Sequence, residues 1–233
     1  MASNLLRLSR PRTIACIGRN YADHIAELGN TRPTEPFYFL KPATTILQPK
    51  AGPILAPKNS NLHYEVELAA VIGSTVEELP NSKEALKAVK GWAVGIDMTA
   101  RNFQEAAKKK GLPWSLCKGF KTFLPVSHFI PASKIPNPHD VELYLKVNGE
   151  LKQCDKTSLM LFDIPRLLQH VTSVMPLEED DLLLTGTPKG VGPVVDGDLI
   201  EAGIRVNGIE LEEGRIEVRV QERETGYNSG AKL

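Results

Sequence analysis

The sequence predicts a mainly β fold carrying a few helices, of the α+β class. Three observations lead there. Asn148-Gly149 and Asn207-Gly208 each separate two strand-like runs, which is a strong two-residue hairpin signal. Segments with helical start and stop signals are few. Strands and helices do not alternate regularly, which argues against a doubly wound or (β/α)₈ architecture.

The elements follow in chain order. Thr13 to Ile17 is strand-like. Asn20 to Leu28 reads as a short helix closed by Gly29, the usual glycine just past a helix end. Glu65 to Ile72 reads as a strand. Asn81 can cap a helix, with Glu84 completing a capping box. Trp92 to Asp97 is another strand, and Thr99 can cap a helix running through Lys110 and ended by Gly111. Val141 to Val147 and Glu150 to Gln153 form the first hairpin. Asp163 can cap a helix to about Val174, with Pro165 in its first turn and Pro176 beyond its end. Leu182 to Thr185, the hairpin Ile204–Val206 and Ile209–Leu211, and Ile216 to Val220 complete the strands.

A length of 233 residues bounds the chain to one domain with a full core or two small ones. We expect a basic tail over 1–12, one domain over 13–221 and a second tail over 222–233. Formal net charge is zero, so nothing in it favours nucleic acid or a membrane surface. No apolar run approaches the roughly 20 residues of a membrane helix. Cys16, Cys117 and Cys154 are odd in number and widely spaced, against a disulfide scaffold or zinc ribbon and for a reducing compartment. No acidic residue precedes Asp23, whereas Arg7, Arg10, Arg12 and Arg19 are basic. That pattern fits a weak mitochondrial presequence, with a cytosolic basic tail as the alternative.

The segment His63-Tyr64-Glu65-Val66-Glu67-Leu68 carries the most chemistry. On a continuous strand His63, Glu65 and Glu67 share one face. Two carboxylates roughly 7 Å apart at Cα can converge on one ion. They lead into a wholly apolar run, where like charges need a cation or donors. A solvated acidic strand end is the alternative. Asp97 closes a second apolar strand, where it could equally be a cap residue. Together the three carboxylates would make an all-oxygen site suited to Mg²⁺, Mn²⁺ or Ca²⁺ rather than zinc.

Six stretches in order, Gly18 to His24, Phe39 to Pro42, His63 to Leu68, Asp97 to Arg101, Lys110 to Trp114 and Thr185 to Gly192, resemble the fumarylacetoacetate hydrolase family, and its short eukaryotic branch in particular. The resemblance implies a metal site at Glu65, Glu67 and Asp97 for Mg²⁺ or Mn²⁺. It implies a mixed β-sheet rolled into a sandwich-like body, a homodimer and a small 2-oxo acid substrate. Acylpyruvate hydrolysis to pyruvate and a carboxylic acid is the first expected reaction. Oxaloacetate decarboxylation or keto–enol tautomerisation at the same site is the alternative, and a non-catalytic metal-binding protein the second. Asn102 stands where many relatives have Asp.

Further groups are candidates. His24 and Glu27 lie three apart on one helix face, where a carboxylate can orient an imidazole for water activation; they match the family's mobile lid dyad. Lys118 matches an active-site lysine able to stabilise enolate charge. Arg101 can pair bidentately with a substrate carboxylate, assisted by Gln104 one turn on. Thr187 is implied as a substrate contact in the loop Thr185–Gly192, which lacks the spacing of a phosphate-binding loop. Lys41 is a further substrate-binding candidate beside a turn at Pro42. Lys108 to Lys110 is expected to be a solvated charge run at a helix end.

Overall fold

A computed structural model describes residues 5–27 and 32–227, with the backbone alone at 24–26. Two large sheets face each other. The first has six strands, in the order Ile130–Pro131, Val89–Ile96, Val66–Ile72, Leu182–Leu184, Ile14–Gly18 and Phe37–Lys41. It is mixed, because Ile14–Gly18 runs parallel to Leu182–Leu184 and its other pairings are antiparallel. The second follows the path Glu150–Lys156, Val141–Val147, Leu199–Val206, Ile216–Glu222 and Ile54–Ala56, with Ile209–Glu210 hairpinned onto Leu199–Val206. A three-stranded sheet joins Gly192–Val194, Leu62–Tyr64 and Thr99–Ala100, and Ile46–Leu47 pairs with Leu124–Pro125.

Inside its edge strand Phe37–Lys41, the first sheet is buried on both faces, which explains its unbroken apolar runs. Ala15, Ile17, Leu68, Ala70, Ile72, Val94 and Leu183 join the main core with Leu143, Leu145, Ile200 and Ile204 of the second sheet. The alternating residues Ile14, Cys16, Ala69, Val71, Ala93, Leu182 and Leu184 turn to the opposite face, covered by Leu8, Leu124 and Val126.

Five α-helices decorate the described residues: α1 Ala22–Glu27, α2 Ser82–Lys87, α3 Arg101–Lys110, α4 Ser115–Lys118 and α5 Ile164–Thr172. The caps at Asn81 and Asp163 form, accepting from the Glu84 and Arg166 N–H groups. Gly111 ends α3 with φ 63°.

Three expectations need correction. Thr99 does not cap α3. It lies in a strand opposite His63, its hydroxyl meets Glu65, and α3 begins after Ala100 without a side-chain cap. Asn20 does not begin α1; its buried side chain instead ties Phe162 to Thr185. Leu28 and Gly29 lie outside the described residues. The strand through His63 to Ile72 is broken at Glu65, where the chain passes from the three-stranded sheet into the first sheet. Tyr227, in the expected tail, packs its ring 5.4 Å from Phe103 and 6.0 Å from Phe120.

Candidate active site

The joint at Glu65 brings the carboxylates together. Asp97 N–H donates to Glu65 C=O at 2.8 Å, fixing the two strand ends side by side. Glu67 sits opposite Gly95 in the first sheet. Glu65, Glu67 and Asp97 are all buried, and each presents an oxygen within 4.8 Å of the others. Burial, then the Asp97 and Glu65 charges, push the Glu67 carboxyl well above its ordinary range, and the Lys118 charge and Gly186 N–H only partly offset this. Hence the arrangement favours a counter-cation. Its donors are carboxylate oxygens without sulfur or nitrogen, so they fit a hard divalent ion such as Mg²⁺ or Mn²⁺.

Three cationic side chains surround this cluster. Lys118 Nζ donates to Glu65 Oε2 at 2.9 Å and to Asp97 Oδ2 at 2.5 Å. Burial alone would lower its pKa, but Asp97 and Glu65 outweigh that and hold it above the ordinary value. Lys41 Nζ donates to Asp97 Oδ1 at 2.6 Å and to Met98 C=O at 3.2 Å. Its side chain has no exposed surface, so its geometry is that of a positioning residue for Asp97. Arg101 donates through Nη2 to Glu65 and through Nη1 to Gln104 Oε1 at 2.9 Å, while its buried Nε has no partner among the described residues.

The loop after Leu184 straps the Glu67 strand. Thr185 N–H and Oγ1 donate to Leu68 C=O, Gly186 N–H donates to Glu67 Oε2 at 2.7 Å, and Thr187 Oγ1 donates to Val66 C=O at 2.8 Å. Thr187 thereby commits its only hydroxyl proton to the backbone, and the hydroxyl offers a substrate carboxylate no donor in this arrangement. Buried Gln153, which sequence reasoning missed, donates to Thr187 Oγ1 at 2.9 Å and accepts from Val66 N–H at 3.0 Å. Asn102 accepts from Asn61 N–H and donates to Asn59 C=O, so it braces the loop entering the site.

Helix α1 meets this loop from outside. Glu27 accepts from Gly190 N–H at 3.0 and 3.1 Å, and Lys189 pairs with Asp23 at 2.8 Å. The His24 side chain lies outside the described residues.

Size does not mark the site. Clefts of 240 and 580 Å³ lie near Lys50, Gly52 and Val218, away from the carboxylates. Glu65 and Glu67 open instead onto a cleft of 40 Å³, shared with Arg101, Gln104, Lys118 and Thr187. Arg19, Phe39, Lys108 and Trp114 also line it, and the candidate residues named from sequence do not include them. Lys108 was legible in principle. Arg101, Gln104 and Lys108 recur at helical spacing on one face of α3.

Residues 13–221 match the family described as fumarylacetoacetate (FAA) hydrolase C-terminal. The chain is 52% identical over 194 residues to a mouse protein named mitochondrial oxaloacetate tautomerase FAHD1, covering 83% of this chain and 87% of that one. It is 48% identical over 194 residues to a Dictyostelium discoideum protein named mitochondrial oxaloacetate decarboxylase, covering 83% and 88%. Among solved structures, it resembles fumarylpyruvate hydrolase from Pseudomonas aeruginosa in complex with Mn²⁺ and pyruvate. That likeness has a TM-score of 0.82 and 31% identity, over 96% of this chain and 97% of that one.

Proposed function

The chain belongs to the fumarylacetoacetate hydrolase family, and from that premise we propose that it is a divalent-metal-dependent oxaloacetate keto–enol tautomerase whose site also supports oxaloacetate decarboxylation. The observation that carries the reading is the buried carboxylate triad among cations, beside an Arg101 donor with no partner among the described residues. The order of reactions expected from sequence changes: relatives near half identity are named for oxaloacetate chemistry, not for acylpyruvate cleavage.

Glu65, Glu67 and Asp97 would hold Mg²⁺ or Mn²⁺. Bound there, the ion supplies chelation for a 2-oxo acid and withdraws charge from its 2-oxo carbonyl. The chain's own groups do the rest. Arg101 orients the substrate carboxylate, held in place by Gln104. Lys118, kept protonated between Glu65 and Asp97, is a fixed positive charge for the enolate to develop against. Lys41 holds Asp97 in position. Tautomerisation needs no activated water: a proton leaves C3 while one is gained at the 2-oxo oxygen, and the step at C3 needs a group that takes or returns its proton. His24, carried on α1 with Glu27, is our candidate for that proton.

Acylpyruvate hydrolysis is a second reading, favoured by the likeness to the fumarylpyruvate hydrolase structure. There His24 would activate water. A substrate panel separates the readings: oxaloacetate tautomerisation, oxaloacetate decarboxylation and acetylpyruvate cleavage, each with Mg²⁺ and with chelator. We expect metal-dependent turnover of oxaloacetate at a higher kcat/KM than acetylpyruvate. The reverse order would put hydrolysis first, and turnover undiminished by chelator would sink the metal assignment. His24→Ala should abolish acetylpyruvate cleavage, and intact cleavage would remove the dyad from the mechanism.

We extend the proposal to a homodimer in the mitochondrial matrix. Exposed Phe37, Leu40, Leu112 and Leu116 support self-association, and the relatives' names support the location. Light scattering and fractionation test them.

A further inference from the structure

Two cations in the cleft are not claimed by any carboxylate. Arg101, Lys118 and Lys41 each reach Glu65 or Asp97. Arg19 and Lys108 line the same cleft, and among the described residues neither forms an ion pair.

Arg19 is half-buried and Lys108 exposed at its rim. Lys108 shares a face of α3 with Arg101 and Gln104, and its Nζ stands 5.7 Å from the Trp114 ring centre. Burial, then the Arg19 and Arg101 charges, lower its pKa, as expected where positive charges converge. Arg19 leaves the end of the Ile14–Gly18 strand with φ 60°, in the left-handed region that a residue with a Cβ disfavours. Its neighbour Asn20 is pinned to Phe162 and Thr185, so the backbone there is fixed from both sides. Unfavourable backbone persists where the surrounding structure over-determines it, and at Arg19 it accompanies a side chain that lines the cleft. Like charges facing one small cleft are unfavourable until an anion divides them.

We infer that Arg19 and Lys108 form a subsite for the second carboxylate of a dicarboxylic 2-oxo acid, the one remote from the chelating end. The inference rests on the reading that a 2-oxo acid binds with its first carboxylate and 2-oxo oxygen at the triad. Oxaloacetate then has one charged group left, at C4, and Arg19 and Lys108 are the cleft's cations without an ion pair among the described residues. A monocarboxylic acid such as acetylpyruvate gains nothing from them. Arg19 and Lys108 are therefore specificity-determining residues that separate dicarboxylic from monocarboxylic substrates.

The test is calorimetric binding to the Mn²⁺-loaded full chain, so it does not depend on turnover. Three stable probes serve: oxalate, which reports the chelating end alone, and the pair malate and lactate, which share a 2-hydroxy acid end and differ in the remote carboxylate. We expect malate to bind wild type about 30-fold more tightly than lactate, as one well-formed charged contact gives. In Arg19→Gln/Lys108→Gln the ratio should fall below about 3-fold, with oxalate affinity unchanged. Lys108→Arg, which keeps the charge, should retain most of the preference. A ratio that persists in the double variant overturns the subsite. So does an equal weakening of oxalate, because that places the effect at the chelating end or in the fold. Wild type that fails to turn over oxaloacetate but shows the malate preference would refute the proposed reaction and leave the subsite standing.

Discussion

Lys118 is charged and has almost no contact with water, so its environment must supply what water would. Asp97 and Glu65 do so directly, and Phe39 closes over it with its ring centre 4.8 Å from Nζ. Lys118→Met should lower kcat/KM by about 10²–10³, the usual cost of removing a donor aimed at developing charge. It should also lower unfolding stability by about 3 kcal/mol in metal-free protein, because Glu65 keeps only Arg101 and Asp97 only Lys41 as a cationic partner, in a site closed to water. Steady-state kinetics and urea titration read the two effects separately. His63 sits at the same strand entrance with a buried Nδ1 that has no partner among the described residues. Burial, then the Arg101 charge, bring its pKa down to about 4. Unfolded histidine binds its proton near 6.5, roughly. Between those values the unfolded chain holds more protons than the folded one, so stability falls as pH drops through that window and is fully present above it. His63→Gln should flatten this limb of the urea midpoint against pH. An unchanged limb would assign the acid sensitivity to other groups.

At the scale of elements, what could be read from sequence was what the chain settles within a few residues. Asn81 caps through Glu84, Asp163 through Arg166, and Gly111 closes α3 within its own turn. Asp163→Ala should therefore cost about 1 kcal/mol in thermal or urea unfolding. Thr99 offered the same local signal and misled, because pairing opposite His63 and a bond to Glu65 claimed it for a strand. The triad was legible because two carboxylates lead into one apolar run and a third closes another, and because the ordered segments around them resemble the family. The joint at Glu65 was not, since the partners that break the strand there come from distant segments. Lys41 and Asp97 are 56 positions apart, and no local pattern announces their bond. The glycine loop shows the same division. Gly190 needs φ 88° and a Cβ there would stand 2.0 Å from Lys152 C=O, whereas Gly197 needs φ 89° in open space. Gly197→Ala should cost about 1 kcal/mol of backbone strain with activity intact. Gly190→Ala should displace the loop, remove the Glu27 contact and reduce kcat/KM with it. Equal activity in the two variants would mean that docking of α1 on this loop is irrelevant to turnover.

For the whole molecule, the fold brings strand ends from two sheets to one point and closes both faces of the first sheet over apolar residues. The point where they meet is therefore stiff before any ligand arrives, and binding there should stabilise the entire fold. With Mn²⁺ at about 100 times its Kd the gain is about 2.7 kcal/mol, which differential scanning calorimetry reads as a rise in Tm. Glu65→Ala/Glu67→Ala should lose that rise. The surround of the triad has one more consequence. When ionised, Glu65, Glu67 and Asp97 carry as many negative charges as Lys41, Lys118 and Arg101, which pair with Glu65 and Asp97, carry positive ones. A divalent cation upsets that match, and a dianion restores it. The two ligands should therefore be cooperative, each raising the other's affinity by the same factor, as thermodynamic reciprocity requires. The protein would then act as a coincidence detector, in which neither ligand alone is held as firmly as the pair.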